Sequence, residues 1–319
     1  MATQLRLGLL GGGRWGRNYI RTIAASADVR LARLASRNPD SVNLVPPDCV
    51  IFADWREMLD ARALDGVIVA TPPGLHAEMA LRVIDAGLPV LIEKPLTMSA
   101  TQAHAVLQQA RERGVLAMVG HLHLFGPAYR MLKSMQAAYG AIRAIRGDAG
   151  NQGPYRPDVP ILWDWGAHDI AMCLDLYGTR PVRVDATLVE TRKVENGIGE
   201  SVAVELAFAN DATASLRWSN LTDRRRRLEV ECDRATLVYD DQAMQKLVVC
   251  DSGRDHAIAI AADFPLNVLV SEFAAAIVAH KCDLSSLELG VAVVEVLAAC
   301  AQIALPEAPP RPSPNVNTH

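Results

Sequence analysis

Short apolar runs alternate with helical patterns along the first 120 residues. Leu5–Leu10, Val29–Ala35, Val50–Phe52, Gly66–Ala70, Val90–Ile92 and Leu116–Val119 read as strands. Gly66–Ala70 is apolar almost throughout, the pattern of a strand buried on both faces. Between these runs, Trp15–Ala25, Trp55–Asp60, His76–Ala86 and a segment capped by Ser99 and running to Arg113 read as helices. Gly87 and Gly114 stand where helices are expected to end. Alternation at this spacing predicts an α/β fold with a doubly wound, parallel Rossmann sheet.

After Gly120 the pattern changes. A helix, Pro127–Ala138, leads to a strand, Ala141–Gly147, then to a Gly/Pro-rich loop, Gly150–Pro160, and a helix, Trp163–Tyr177. Six strand-like runs follow: Val182–Thr191, Ser201–Ala209, Thr213–Trp218, Leu228–Cys232, Ala235–Tyr239 and Lys246–Val249. Strands joined by turns predict an open, mostly antiparallel sheet, and with the helices an α+β domain. Helices Val268–His280 and Leu287–Ala304 close the ordered chain. The expected division is 1–120 for the Rossmann domain, 121–305 for the α+β domain and 306–319 for a disordered tail rich in Pro and Asn.

Composition narrows the functional classes. The net charge is -4, from 32 basic and 36 acidic residues, which points to neither nucleic acid nor a membrane surface. The basic run Arg224–Arg227 reads as a solvated turn or strand edge. No continuous apolar run reaches the ~18 residues of a membrane span. Six cysteines, none at C-x-x-C spacing, fit a reducing cytoplasm without disulfides or zinc. No signal peptide is recognisable, so a cytoplasmic location is expected.

Gly11-Gly12-Gly13-Arg14-Trp15-Gly16 fits G-x-G-x-x-G, directly after one predicted strand and opening a predicted helix. Gly11 permits the tight turn, Gly13 lets the backbone approach a pyrophosphate, and Gly16 allows close helix packing; the helix N-terminus supplies amides. The implied cofactor is NAD or NADP. At the end of the second strand, NAD enzymes often carry an acid that bonds the ribose. Here Ser36 and Arg37 stand instead. They can bind a 2′-phosphate, or Arg37 can stack on adenine, so the choice stays open.

Glu93-Lys94-Pro95 follows a strand at its carboxyl end, where open α/β sheets bind ligands. Asp164 and His168 lie four residues apart, which on one helix puts both on one face. Taken in order with Ala70-Thr71-Pro72-Pro73-Gly74-Leu75-His76 and Gly120-His121, these motifs resemble the glucose–fructose oxidoreductase / inositol dehydrogenase (Gfo/Idh/MocA) family over nearly the whole chain. The resemblance implies a catalytic Lys94, often followed by a cis proline bond, and a pocket formed by Asp164 and His168. It also implies Thr71, Pro72, His76, Glu93 and Lys94 on the cofactor side, and a homodimer or homotetramer built on the second sheet. A histidine titrating near neutrality suits removal of an alcohol proton. Asp169 reads as a supporting carboxylate.

A narrower likeness lies in Trp15-Gly16-Arg17-Asn18, Val119–Ala128 and Asn151-Gln152-Gly153-Pro154-Tyr155-Arg156. These resemble the branch that oxidises nucleotide sugars, such as UDP-N-acetylglucosamine 3-dehydrogenases. That likeness implies Asn151 and Arg156 as sugar contacts, with Lys94, His121, Asp164 and His168 also facing the substrate. His121 and His123 have no third ligand at suitable spacing, so no metal is expected. Two other readings remain at this stage: an NADP-dependent enzyme for a free sugar, polyol or dihydrodiol, and a dinucleotide-sensing regulator on the same fold.

Overall fold

The computed structural model describes residues 4–59, 63–156, 159–195 and 197–304; the expected tail, 306–319, lies outside them. The described chain forms two compact units. One combines residues up to Gly126 with Asp263–Val294, the other Pro127–Ala262 with residues from Glu295 on.

The first unit begins with β1 (Leu5–Leu10), α1 (Gly16–Ala24), β2 (Val29–Ala35), β3 (Val50–Phe52), α2 (Trp55–Met58), β4 (Gly66–Val69), α3 (His76–Asp85), β5 (Val90–Glu93), α4 (Ala100–Arg113) and β6 (Ala117–Gly120). The strands form one parallel sheet in the order β3-β2-β1-β4-β5-β6, so β1 pairs with both β2 and β4. Every residue of β4, β5 and β6 is buried, as continuous apolar runs require. Ser99 caps α4 by accepting the Gln102 N–H, and Gly114 ends it at φ 61°. Helix α2 is shorter than expected because Leu59 turns to extended backbone; Asp60 falls outside the described residues.

The second unit carries α5 (Pro127–Gln136), β7 (Ile142–Gln152), α6 (Ile161–Asp164), α7 (Gly166–Tyr177), β8 (Arg183–Val194), β9 (Gly197–Ala207), β10 (Thr213–Ser219), β11 (Leu221–Cys232), β12 (Thr236–Asp240), β13 (Leu247–Asp251) and β14 (Arg254–Ala257). Its eight-stranded sheet has the order β14-β13-β12-β11-β7-β10-β9-β8. All pairs are antiparallel except β7 with β10. Strand β7 outruns its apolar core because β10 and β11 pair on both its edges as far as Gly150 and Gln152. Asn151 is therefore a strand residue and not part of a loop. Strand β14 was not legible as a strand: all four of its residues are exposed, so no apolar alternation marks it.

The arginine run is a second departure. It lies within β11, an interior strand, rather than in a turn or at an edge, although Arg224, Arg225 and Arg227 are exposed there as a solvated run would be. A strand can carry these charges because three of the four are matched and Arg224 is exposed: Arg225 pairs with Asp148 at 2.8 Å, Arg226 with Asp169 at 2.6 Å and Arg227 with Glu229 at 2.8 Å.

Helices α8 (Pro265–Val278) and α9 (Ser285–Ala304) complete the chain. Leu269, Val270, Phe273 and Ala274 of α8 join Leu7, Leu9, Leu31, Ile68, Leu91 and Met118 in one buried cluster. That cluster ties α8 to the first unit, and Ser286 on Val119 with Gly290 against Val119 and Leu96 ties the start of α9, so residues 263–294 group there and not, as expected, with the second. By length and composition α9 is apolar enough to span a membrane, although Glu288 and Glu295 interrupt its apolar run. Half of that stretch is buried in the protein, and both glutamates form ion pairs, with Arg111 and Arg180.

Candidate active site

In the first unit, the turn from β1 into α1 is shaped by its glycines. Gly11 sits at φ +107°, where side chains strain, and a Cβ on it would lie 2.7 Å from the Ala70 carbonyl oxygen. A Cβ on Gly16 would collide with the Gly11 carbonyl oxygen. Gly13 differs: no atom lies within 4 Å of where its Cβ would be. The protein does not need glycine there for its own packing, but an anion resting on the loop amides does. No side chain caps the start of α1 at Trp15, so these amides remain available to such an anion. Arg14 and Trp15 are exposed beside the loop. This arrangement fits a dinucleotide pyrophosphate.

At the end of β2, the Ser36 hydroxyl accepts the Ser41 hydroxyl at 2.7 Å and the Asn38 N–H at 3.2 Å, and Arg37 is exposed. After β4, Thr71 is half-buried and Pro72 exposed. His76 is fully buried, with Nε2 2.8 Å from the Thr71 carbonyl and Nδ1 2.9 Å from that of Pro95. Burial pushes its imidazole below the ordinary range, against the pull of these carbonyls. The ring therefore braces two loops and presents no exposed face. After β5, Lys94 is half-buried and the Lys94–Pro95 bond is cis, as the resemblance implied. Glu93 is 6% exposed, with its carboxylate turned to protein donors. His121, at the end of β6, is also buried.

In the second unit, the expected single helix over 163–177 is divided. Asp164 ends α6, Trp165 (φ −95°, ψ −37°) intervenes, and His168 lies in the first turn of α7. Both residues are partly exposed. Arg156 reaches Asp164, with 3.6 Å between Nη1 and Oδ1. Asn151 stands at the end of β7, five residues before Arg156. Two buried residues not anticipated from sequence hold this region: Glu200 accepts the Ile161 N–H at 3.0 Å, opening α6, and Asn220 accepts the Gly153 N–H and the Glu200 N–H. Their signal was faint: Glu200 is an acid at a buried position of β9, and Asn220 a polar residue in the turn between β10 and β11. Asp169, beside His168, is buried and accepts the Trp218 indole N–H and the Arg226 guanidinium. Burial pushes its carboxyl up, and Arg226 pulls it back.

These groups supply a dinucleotide cradle and, at the carboxyl end of another strand of the same sheet, the Lys94 ammonium in one unit, and an imidazole with a carboxylate–guanidinium pair in the other. Among the described residues, no group of three His, Cys, Asp or Glu side chains forms a metal site. Comparison with protein families matches residues 5–121 to the NAD-binding Rossmann fold of the Gfo/Idh/MocA oxidoreductase family and residues 130–238 to the Gfo/Idh/MocA C-terminal domain. The chain belongs to this family. Among solved structures, a putative oxidoreductase from Magnetospirillum magnetotacticum is 45% identical with a TM-score of 0.89, covering 93% of this chain and all of that one. The UDP-N-acetylglucosamine 3-dehydrogenase of Acidithiobacillus ferrooxidans is 28% identical over 94% of this chain and 96% of its own, and its crystal structure superposes with a TM-score of 0.80. An inositol 2-dehydrogenase from Rhizobium meliloti is 26% identical over 75% of this chain and 76% of its own. As a Gfo/Idh/MocA oxidoreductase, the protein uses NAD or NADP.

Proposed function

We propose that the protein oxidises a secondary alcohol of a sugar, foremost a nucleotide sugar, with reversible hydride transfer to NAD or NADP. The observation that carries this reading is the pairing of an open Gly13 cradle with Lys94 at the carboxyl end of a strand in the same sheet. The bound dinucleotide supplies the hydride acceptor. Lys94 donates a hydrogen bond to the alcohol oxygen and steadies negative charge there as the proton leaves. His168 accepts that proton, with Asp164 orienting or relaying. The carbinol thus loses a hydride and a proton, and the balance closes without a metal. Asn151 bonds sugar hydroxyls, and Arg156 takes a phosphate or carboxylate. The likeness to a UDP-N-acetylglucosamine 3-dehydrogenase over 94% of the chain supports the nucleotide-sugar reading.

Ser36 and Arg37 favour a second reading, an NADP-dependent enzyme for a free sugar or polyol. A regulator that only binds dinucleotide has no need of Lys94 and His168. The protein is proposed to act in the cytoplasm as a homodimer or homotetramer. The test is titration of purified protein with NADH and NADPH, followed by a panel of UDP-sugars, free sugars and polyols with NAD(P)H absorbance as readout. NADH preference with turnover of a UDP-sugar supports the first reading. NADPH preference with indifference to the UDP group supports the second, and binding without turnover the regulator.

A further inference from the structure

Glu93 is a buried acid that the reaction does not use. Its Oε1 accepts the Tyr19 hydroxyl at 2.6 Å and its Oε2 the Lys94 main-chain N–H at 3.2 Å; the Trp15 indole also donates to the carboxylate. Gly120 leaves it room: a Cβ there would lie 3.1 Å from Oε1 and 3.4 Å from the Tyr19 hydroxyl. Burial pushes this carboxyl up, while Tyr19, Trp15 and Lys94 hold it down. A buried carboxylate is a poor device for stability alone, since apolar side chains of like volume often serve as well or better. The identity of its donors is informative. Trp15 belongs to the glycine loop and Tyr19 lies one turn along α1, whereas the third donor is the backbone of Lys94.

We propose that Glu93 is a positioning residue that couples seating of the dinucleotide on Gly11–Gly16 to the placement of Lys94. The inference rests on the roles assigned above to the loop and to Lys94. A pyrophosphate on the loop fixes the start of α1 and with it Trp15 and Tyr19. These fix the carboxylate, and the carboxylate fixes the Lys94 amide. Glu93→Gln keeps the shape but removes the charge and leaves one acceptor oxygen where there were two, so the Tyr19 hydroxyl, the Trp15 indole and the Lys94 amide can no longer all donate as they do to the carboxylate.

The test is amide hydrogen exchange at Lys94 and at residues 11–18, with and without the dinucleotide that binds in titration, in the wild type, Glu93→Gln and Tyr19→Phe. In the wild type, dinucleotide slows exchange at both places. In Glu93→Gln the slowing at 11–18 stays and that at Lys94 falls about tenfold, the scale of one lost buried hydrogen bond. With a turned-over sugar, kcat falls by a similar factor and KM holds. Protection at Lys94 that survives in Glu93→Gln overturns the inference, even if melting temperature drops, because Glu93 is then only structural. Should that variant not fold, Tyr19→Phe, which keeps the carboxylate and removes one donor, is read by the same criteria. A wild-type chain that binds neither dinucleotide overturns the site reading itself, and the inference with it.

Discussion

Arg226→Met should destabilise the second unit strongly, and more so as pH rises. Asp169 is 3% exposed, and its two oxygens are taken by Arg226 at 2.6 Å and by the Trp218 indole at 2.5 Å. Methionine fills similar space but leaves the carboxylate buried without its cation. Breaking a buried pair from one side costs about 3–5 kcal/mol. At about 2–4 °C per kcal/mol for a body of this size, that is a melting shift of roughly 6–20 °C. The pH dependence has a definite sign. Burial already holds the Asp169 carboxyl above its ordinary value, so the folded state binds this proton more tightly than the unfolded one. Stability then falls as pH rises from the unfolded value of about 3.9 to the folded one. Removing Arg226 takes away the lowering influence and extends that window upward. The deficit of Arg226→Met against the wild type should therefore shrink as pH is lowered from about 8 to about 5, where the acid can protonate. Adding Asp169→Asn should recover most of the loss, since the amide oxygen still accepts the Trp218 N–H and no charge is left unpaired. Calorimetry across that pH range is the assay. A deficit under about 1 kcal/mol, or one equal at both ends of the range, would refute a buried ion pair here.

Three further outcomes follow from the sites described. Lys94→Ala and His168→Ala should each lower kcat by roughly 100-fold or more while dinucleotide affinity, read by titration, stays nearly intact; full activity in either removes the role assigned to it. Gly13→Ala should fold with an unchanged melting temperature, because its Cβ meets nothing, yet lose dinucleotide affinity about tenfold or more. An unaltered affinity there means the pyrophosphate does not rest on that amide. Ser36→Asp should shift preference from NADPH toward NADH through repulsion of the 2′-phosphate, and titration of both reduced forms decides it.

What the sequence revealed, and what it hid, divides by distance along the chain. The glycine loop was legible because its demands are local: a positive φ at Gly11 and close approach at Gly16 each exclude a side chain. The Ser99 cap and the Gly114 stop were legible for the same reason. Motif order singled out Lys94, Asp164 and His168 as candidates, but gave no sign of the break at Trp165 between the last two. The supports of these residues were hidden. Arg226 finds Asp169 across 57 residues and Tyr19 finds Glu93 across 74, and nothing in either neighbourhood names the partner. Within the arginine run three side chains are exposed, but Arg226 turns inward, and a strand pattern does not say which carboxylate awaits it. Likewise, α8 is plainly an apolar helix in sequence, but its spacing does not say which sheet it covers.

That last assignment bears on how the protein is made. All six strands of the first sheet have been synthesised once Gly120 is added, yet Leu269, Val270, Phe273 and Ala274, which share its core, come only after the entire eight-stranded sheet. At about 5–20 residues per second, a ribosome takes roughly 7–30 s to cover that interval. Throughout it, the nascent Rossmann sheet lacks the α8 side chains that share its buried cluster, among them Phe273 beside Gly66 of β4. The N-terminal body therefore cannot finish folding in order of synthesis, and a fragment ended after Gly126 lacks those side chains for good.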